Sequence, residues 1–115
     1  MSKEEIHYDI THISFLEKLW GDGYMSPGGK KEINRLLNGL DLTEKKILDV
    51  GCGAGGITVS LVKDYGAKEV IGVDVEEDVV NSAIKRVVKN RLKDNIEILL
   101  IGKSNLPFEN NCFDI

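Results

Sequence analysis

Ile47-Leu48-Asp49-Val50-Gly51-Cys52-Gly53-Ala54-Gly55-Gly56, with Gly72-Val73-Asp74 further on, is the stretch that decides the fold. An apolar strand over Lys46 to Val50 runs into a glycine-rich turn, and the turn opens a helix near Gly55. Such a turn needs positive backbone angles, and it needs no Cβ where a ligand approaches; glycine supplies both. Free N–H groups at the helix start, with the positive end of its dipole, favour a bound anion. About 20 residues after the glycines, a second strand, Glu69 to Val73, ends in Asp74, whose two carboxylate oxygens suit the hydroxyls of a ribose. The order strand, glycine turn, helix, strand, acid describes a site for a nucleoside-containing cofactor.

Gly51-x-Gly53-x-x-Gly56 also matches the dinucleotide fingerprint, so the glycines leave a nicotinamide cofactor and other adenosine ligands open. Asp49 separates them. A carboxylate two residues before the first glycine would repel a pyrophosphate. It suits S-adenosylmethionine, which carries a sulfonium and a protonated amino group. The plainer role for Asp49 is a solvated strand-end acid or a helix cap. On the cofactor reading, Asp49 and the backbone of Gly51, Cys52 and Gly53 hold the methionine end, Asp74 holds the ribose and Val75 lies against the adenine.

Leu48 to Gly56 resembles the first motif of the class I S-adenosylmethionine-dependent methyltransferases, and Val70-Ile71-Gly72-Val73-Asp74 resembles their second. Leu106-Pro107-Phe108-Glu109-Asn110-Asn111-Cys112-Phe113-Asp114-Ile115 resembles the segment leading into that family's fourth strand. The resemblance implies an α/β, Rossmann-like fold with a parallel sheet and flanking helices, in strand order three, two, one, four. It also implies a domain that breaks off at the start of the fourth strand. Residues 1–45 would then form a helical cap and lid loop, and 46–115 the N-terminal half of the cofactor domain.

His7-Tyr8-Asp9 with Trp20 to Gly29 is similar to the entrance segment of phosphoethanolamine N-methyltransferases. The resemblance makes Tyr8 the catalytic tyrosine, working with a histidine that would lie beyond Ile115. It places Met25 and Ser26 against the cofactor. The triplet also resembles cyclopropane fatty-acid synthases, which the Trp20 to Gly29 segment fits less well. Many relatives carry an acid after the third strand, near the adenine amino group. Gly102-Lys103-Ser104 stands there, and Lys103 has no acceptor to offer. Backbone groups near Lys103 and Ser104 take over that contact, or adenosine is held more weakly.

At 115 residues the chain fits one small domain. A net charge of −4 gives no broad attraction to nucleic acid. No apolar run approaches bilayer length, and Met1 to Glu5 lack the apolar core of a signal peptide, so a cytoplasmic protein without membrane contact is expected. Cys52 and Cys112 are expected as reduced thiols. His7 and His12 lie far from them, so no metal site is expected.

Apolar periodicity predicts helices over Ile6 to Trp20, Lys30 to Leu40 and Glu77 to Leu92. In the last, Val80, Ala83, Ile84, Val87 and Val88 should pack on the sheet, with Lys85, Arg86 and Lys89 solvated. Ile57, Leu61, Val62 and Tyr65 should pack the helix that ends at Gly66. Asn95 to Ile101 is an almost continuous apolar strand, as in sheets covered on both faces. A chain ending partway into a central strand exposes an edge, and a homo-oligomer through that edge is the expectation. The functional expectation is methyl transfer to a small polar acceptor, an amine of the phosphoethanolamine kind. The alternative is a self-associating fragment that binds the cofactor and catalyses nothing.

Overall fold

The computed structural model describes residues 10–21, 23–25, 29–102, 106–108 and 112–115, without the side chains of His12 and Trp20. In chain order the elements are α1 (Ile10–Trp20), α2 (Gly29–Leu36), β1 (Lys46–Val50), α3 (Gly56–Lys63), β2 (Glu69–Asp74), α4 (Glu77–Lys89) and β3 (Ile96–Leu100). The three strands form one parallel sheet in the order β1-β2-β3, with Ile47 beside Val70 and Val70 beside Ile96. Two right-handed crossovers in the same direction put α3 and α4 on one face. There Ile47, Val70 and Ile96 join Val59, Leu61 and Val87 in the main core, with Leu42 and Ala67 closing its lower end.

The expected fourth position is visible beside β1. Asp114 N–H donates to the Lys46 carbonyl at 2.8 Å, and Leu48 N–H donates to the Ile115 carbonyl at 2.9 Å. The Asp114 carboxylate also accepts from Lys46 N–H at 2.8 Å. These β1 groups point away from β2, so Asp114 and Ile115 occupy part of the strand edge expected to be bare.

The opposite face of the sheet departs from expectation. Val50 is 62% exposed, Glu97 is exposed, and Leu48 and Leu99 are half-buried. Among the described residues, then, β3 is not the doubly covered strand its composition implied.

The helix boundaries and faces also need correction. α2 stops at Leu36 rather than Leu40, because the chain turns at Leu37 to Gly39, where Gly39 takes φ 85°. α4 stops at Lys89, where Asn90 Nδ2 donates to the Arg86 carbonyl and closes the end. Its buried stripe is Val79, Val80, Ala83 and Val87; Ile84 and Val88 are 42% and 51% exposed. Each lies one residue past Ala83 or Val87, about 100° round the helix, which turns it off the sheet. Among the described side chains of α1 only Ile13 is fully buried, packed with Ala54 and Val79, while Ile10 and Leu19 are exposed. α3 buries more than one stripe: Thr58, Val59, Ser60 and Leu61 are all covered.

Leu42, at 2% exposure, precedes β1 and fills the base of the core. Leu42→Ala should cost about 3 kcal/mol in urea unfolding, whereas Leu36→Ala, at a site 62% exposed, should change stability by less than about 0.5 kcal/mol.

Candidate functional site

The glycine turn is built onto the end of β2. The Val73 carbonyl accepts from Gly51 N–H at 2.8 Å and from Cys52 N–H at 3.0 Å. Gly51, Gly53 and Gly55 take φ of 69°, 59° and 88°, angles that side chains rarely adopt, and so the chain reverses into α3 within a few residues. The reversal brings Gly53 N–H to Asp74 Oδ2 at 3.1 Å. Asp74 Oδ1 accepts from Val75 N–H at 2.7 Å and Glu76 N–H at 3.2 Å, which fixes the carboxylate at the mouth of the sheet. Val75 follows at 40% exposure.

The expectation of free N–H donors at the helix start is met only in part. Gly56 N–H donates to the Gly23 carbonyl at 2.8 Å, and Gly55 N–H donates to the Cys52 carbonyl at 3.2 Å. Gly51, Cys52 and Gly53 are also engaged, which leaves the N–H groups of Ala54, Ile57 and Thr58 as the donors open to a ligand. The Gly23 contact is backbone on backbone: a Cβ on Gly56 would stand 2.5 Å from the Gly23 oxygen. Glycine is needed there for close approach.

That contact seats the loop after α1 on the turn. Met25 Sδ lies 3.7 Å from where a Cβ of Gly53 would be. Met25, Gly51, Cys52 and Gly53 thereby line one cavity of about 230 Å³, together with Tyr24, Glu32, Ile33 and Ile57. Sequence reasoning missed Glu32 and Ile33; they reach the cavity only through the tertiary packing of α2.

Asp49 is not among the residues lining that cavity. It lines an adjoining apolar one of about 190 Å³, and Ile33, Leu36 and Ile57 form the wall between the two. Thr58 Oγ1 donates to Asp49 Oδ2 at 2.7 Å. Burial raises the Asp49 pKa above the ordinary carboxylate value; the Thr58 bond opposes the shift, and the charge of Asp74 adds to it. Among the described residues no cation pairs with Asp49. The role of Thr58 was not read from sequence, although it faces Asp49 from the first turn of α3.

The Cys52 thiol is pushed up to about 12, first by burial and then by the charges of Asp49 and Asp74. It is protonated at neutral pH, so a small packed side chain is its role and not a nucleophile's. Arg86, expected in solvent, turns inward: Nε donates to the Ala54 carbonyl at 3.0 Å and Nη2 meets Glu17 Oε2 at 2.6 Å. Tyr8, Ser26, Lys103 and Ser104 lie outside the described residues. Among the described residues no three His, Cys, Asp or Glu side chains gather as a metal site, and no helix is long and apolar enough to cross a membrane.

A family model described as a methyltransferase domain matches residues 47–115. Phosphoethanolamine N-methyltransferase 1 of Zea mays is 34% identical over 97% of this chain and 22% of its own length. An uncharacterized protein of Haemophilus influenzae is 34% identical over all of this chain and 43% of its own. The chain thus spans less than half the length of either relative. Among solved structures, Haemonchus contortus phosphoethanolamine N-methyltransferase 2, in complex with phosphomonomethylethanolamine and S-adenosylhomocysteine, superposes with a TM-score of 0.78. It is 29% identical, with 90% of this chain and 24% of that one covered.

Two measurements test the site's electrostatics. Because the folded-state pKa of Asp49 is raised, its ionised form opposes folding, and its contribution to stability is lost as pH rises above the ordinary carboxylate range. Asp49→Asn should therefore be more stable than wild type at pH 7, and the gap should close as pH falls and the wild-type carboxyl protonates. Denaturant titrations across that range read the effect. With a thiol pKa of about 12, roughly one Cys52 in ten thousand is thiolate at pH 8. Iodoacetamide should label half-buried Cys112 first, as peptide mass mapping would read.

Proposed function

This chain belongs to the class I S-adenosylmethionine-dependent methyltransferases, and on that premise we propose that it binds S-adenosylmethionine and serves methyl transfer to a small polar amine of the phosphoethanolamine kind. Asp49 carries the proposal. A desolvated carboxyl with a raised pKa and no cation beside it among the described residues costs folding free energy. A ligand bearing positive charge near the end of β1 offsets that cost, and a pyrophosphate aggravates it.

The cavity suits one end of the ligand. At about 230 Å³ it lies below the usual size of a small-molecule site. It takes the methionyl end between Met25 and the Gly51-Cys52-Gly53 backbone, with Asp49 on the far side of Ile33, Leu36 and Ile57. The ribose reaches Asp74, whose oxygens retain lone pairs beyond the three N–H bonds they accept. The adenine lies along exposed Val75. Ser26, Lys103 and Ser104 enter this reading through resemblance alone.

S-adenosylmethionine supplies an activated methyl group on a sulfonium. The chain's part is to align that carbon with the acceptor nitrogen, exclude water, and keep the nitrogen unprotonated. Tyr8 is proposed for the last role, as the entrance tyrosine of the phosphoethanolamine enzymes it resembles. The matching names of the plant and nematode relatives support this acceptor class.

Calorimetry with S-adenosylhomocysteine tests the cofactor reading. Binding should be measurable, and no heat should accompany reduced nicotinamide dinucleotide. Asp74→Ala should weaken binding about tenfold or more, the worth of a charge-assisted hydrogen bond, and Lys103→Ala should weaken it less. Affinity should fall as pH drops through the raised Asp49 pKa, and Asp49→Asn should flatten that profile. Methyl-labelled donor with phosphoethanolamine tests the acceptor. Equal losses at Asp74 and Lys103, or preference for the dinucleotide, overturn the assignment.

A further inference from the structure

We infer that Glu17 and Arg86 are positioning residues for the cofactor: their ion pair clamps Gly23–Met25 onto the glycine turn and so sets the Met25 wall of the binding cavity. The inference rests on the S-adenosylmethionine reading. Its basis is a run of contacts across four parts of the fold. Glu17 of α1 accepts from Gly23 N–H with the same Oε2 that meets Arg86 Nη2. Arg86 of α4 donates Nε–H to the carbonyl of Ala54, inside the turn. Gly23 in turn accepts from Gly56 at the head of α3. Met25 stands two residues on, against Gly53.

Burial gives this pair its weight. The Arg86 and Glu17 side chains are 14% and 18% exposed, while the other described ion pairs, Lys30–Asp64, Arg35–Glu32 and Lys46–Glu69, are 36% to 78% exposed. Exposed pairs contribute little, but breaking a covered one strands a charge. Arginine is required by geometry. Its fork serves Ala54 and Glu17 from two nitrogens, and lysine has one nitrogen for both. The pair is also far apart in sequence, 69 residues, so it ties the loop to the Rossmann half rather than to its own helix.

The test uses the whole chain with Glu17→Gln, Arg86→Lys and, as control, Lys85→Gln on the exposed side of α4. Far-UV circular dichroism confirms folding before S-adenosylhomocysteine titration. Glu17→Gln keeps the shape and an oxygen for Gly23 N–H, so it decides the question should Arg86→Lys fail to fold. Both clamp variants should bind about tenfold more weakly than wild type, within the usual range of coupling between sites, and Lys85→Gln should not differ. Chymotryptic cleavage after Tyr24 in the ligand-free protein should be about tenfold faster in the clamp variants, and saturating ligand should restore protection. A purely structural role would lower melting temperature without moving affinity or the Tyr24 cleavage rate. Folded clamp variants with wild-type affinity overturn the inference. Absence of binding by wild type overturns the cofactor reading and this role with it, while the Tyr24 rates still report whether the clamp exists.

Discussion

The Val73 carbonyl holds two N–H groups, those of Gly51 and Cys52, and the geometry of the site follows from that shared acceptor. It joins the end of β1 to the end of β2 at the point where the chain must leave the sheet. The left-handed angles at Gly51, Gly53 and Gly55 then turn the backbone sharply enough for Gly53 to meet Asp74. A side chain at these angles would be strained, and a wider turn would carry Gly53 away from the carboxylate. The same reversal delivers Gly56 to Gly23, where no Cβ fits. Two strand ends, one helix start and the preceding loop are located by a handful of backbone bonds.

Against this rigid frame Asp49 is the one component at odds with folding. Its neighbours are largely aliphatic, its single described partner is a hydroxyl, and Asp74 lies near enough to add repulsion. Stability alone would favour a neutral residue there. Strain of this kind is characteristic of functional positions, where a local cost is tolerated because a ligand removes it. Cys52 shows the opposite design. The same two carboxylates and the same burial keep its thiol protonated, which leaves it chemically quiet beside a reactive ligand.

Local signals were legible in the sequence wherever one element specifies itself. Lys46–Val50 was read at its observed bounds, and the acid at the end of β2 fell where the glycine spacing put it. The periodicity of α4 gave the helix but misplaced its stripe, because Ile84 and Val88 are apolar without facing the sheet. Arg86 was misread for a related reason. Charge marks a residue as solvated on average, and only the arrival of Glu17 from a distant helix makes an inward arginine affordable. The free N–H groups expected at the head of α3 were likewise a local inference, and the carbonyl of Gly23 from 33 residues earlier takes one of them, that of Gly56. Asp49 was read as an acid of the cofactor site from its place before the first glycine; its separation from the glycine-turn cavity depends on how α2 packs, which no motif encodes.

Two contacts that sequence did not reveal, one local and one long-range, converge on Gly23. Glu17 and Gly56 both hold Gly23, the former through its N–H and the latter through its carbonyl. A residue held at both backbone groups has little freedom left, so Tyr24 and Met25 leave it in a fixed direction over the cavity. The site can therefore discriminate among ligands by its walls: one is the rigid backbone of Gly51 to Ala54, the other a side chain whose position depends on a covered ion pair. Specificity in such a site comes from the distance between the walls and from the uncompensated charge of Asp49 next to them. Both are properties of the packed chain rather than of the glycine motif.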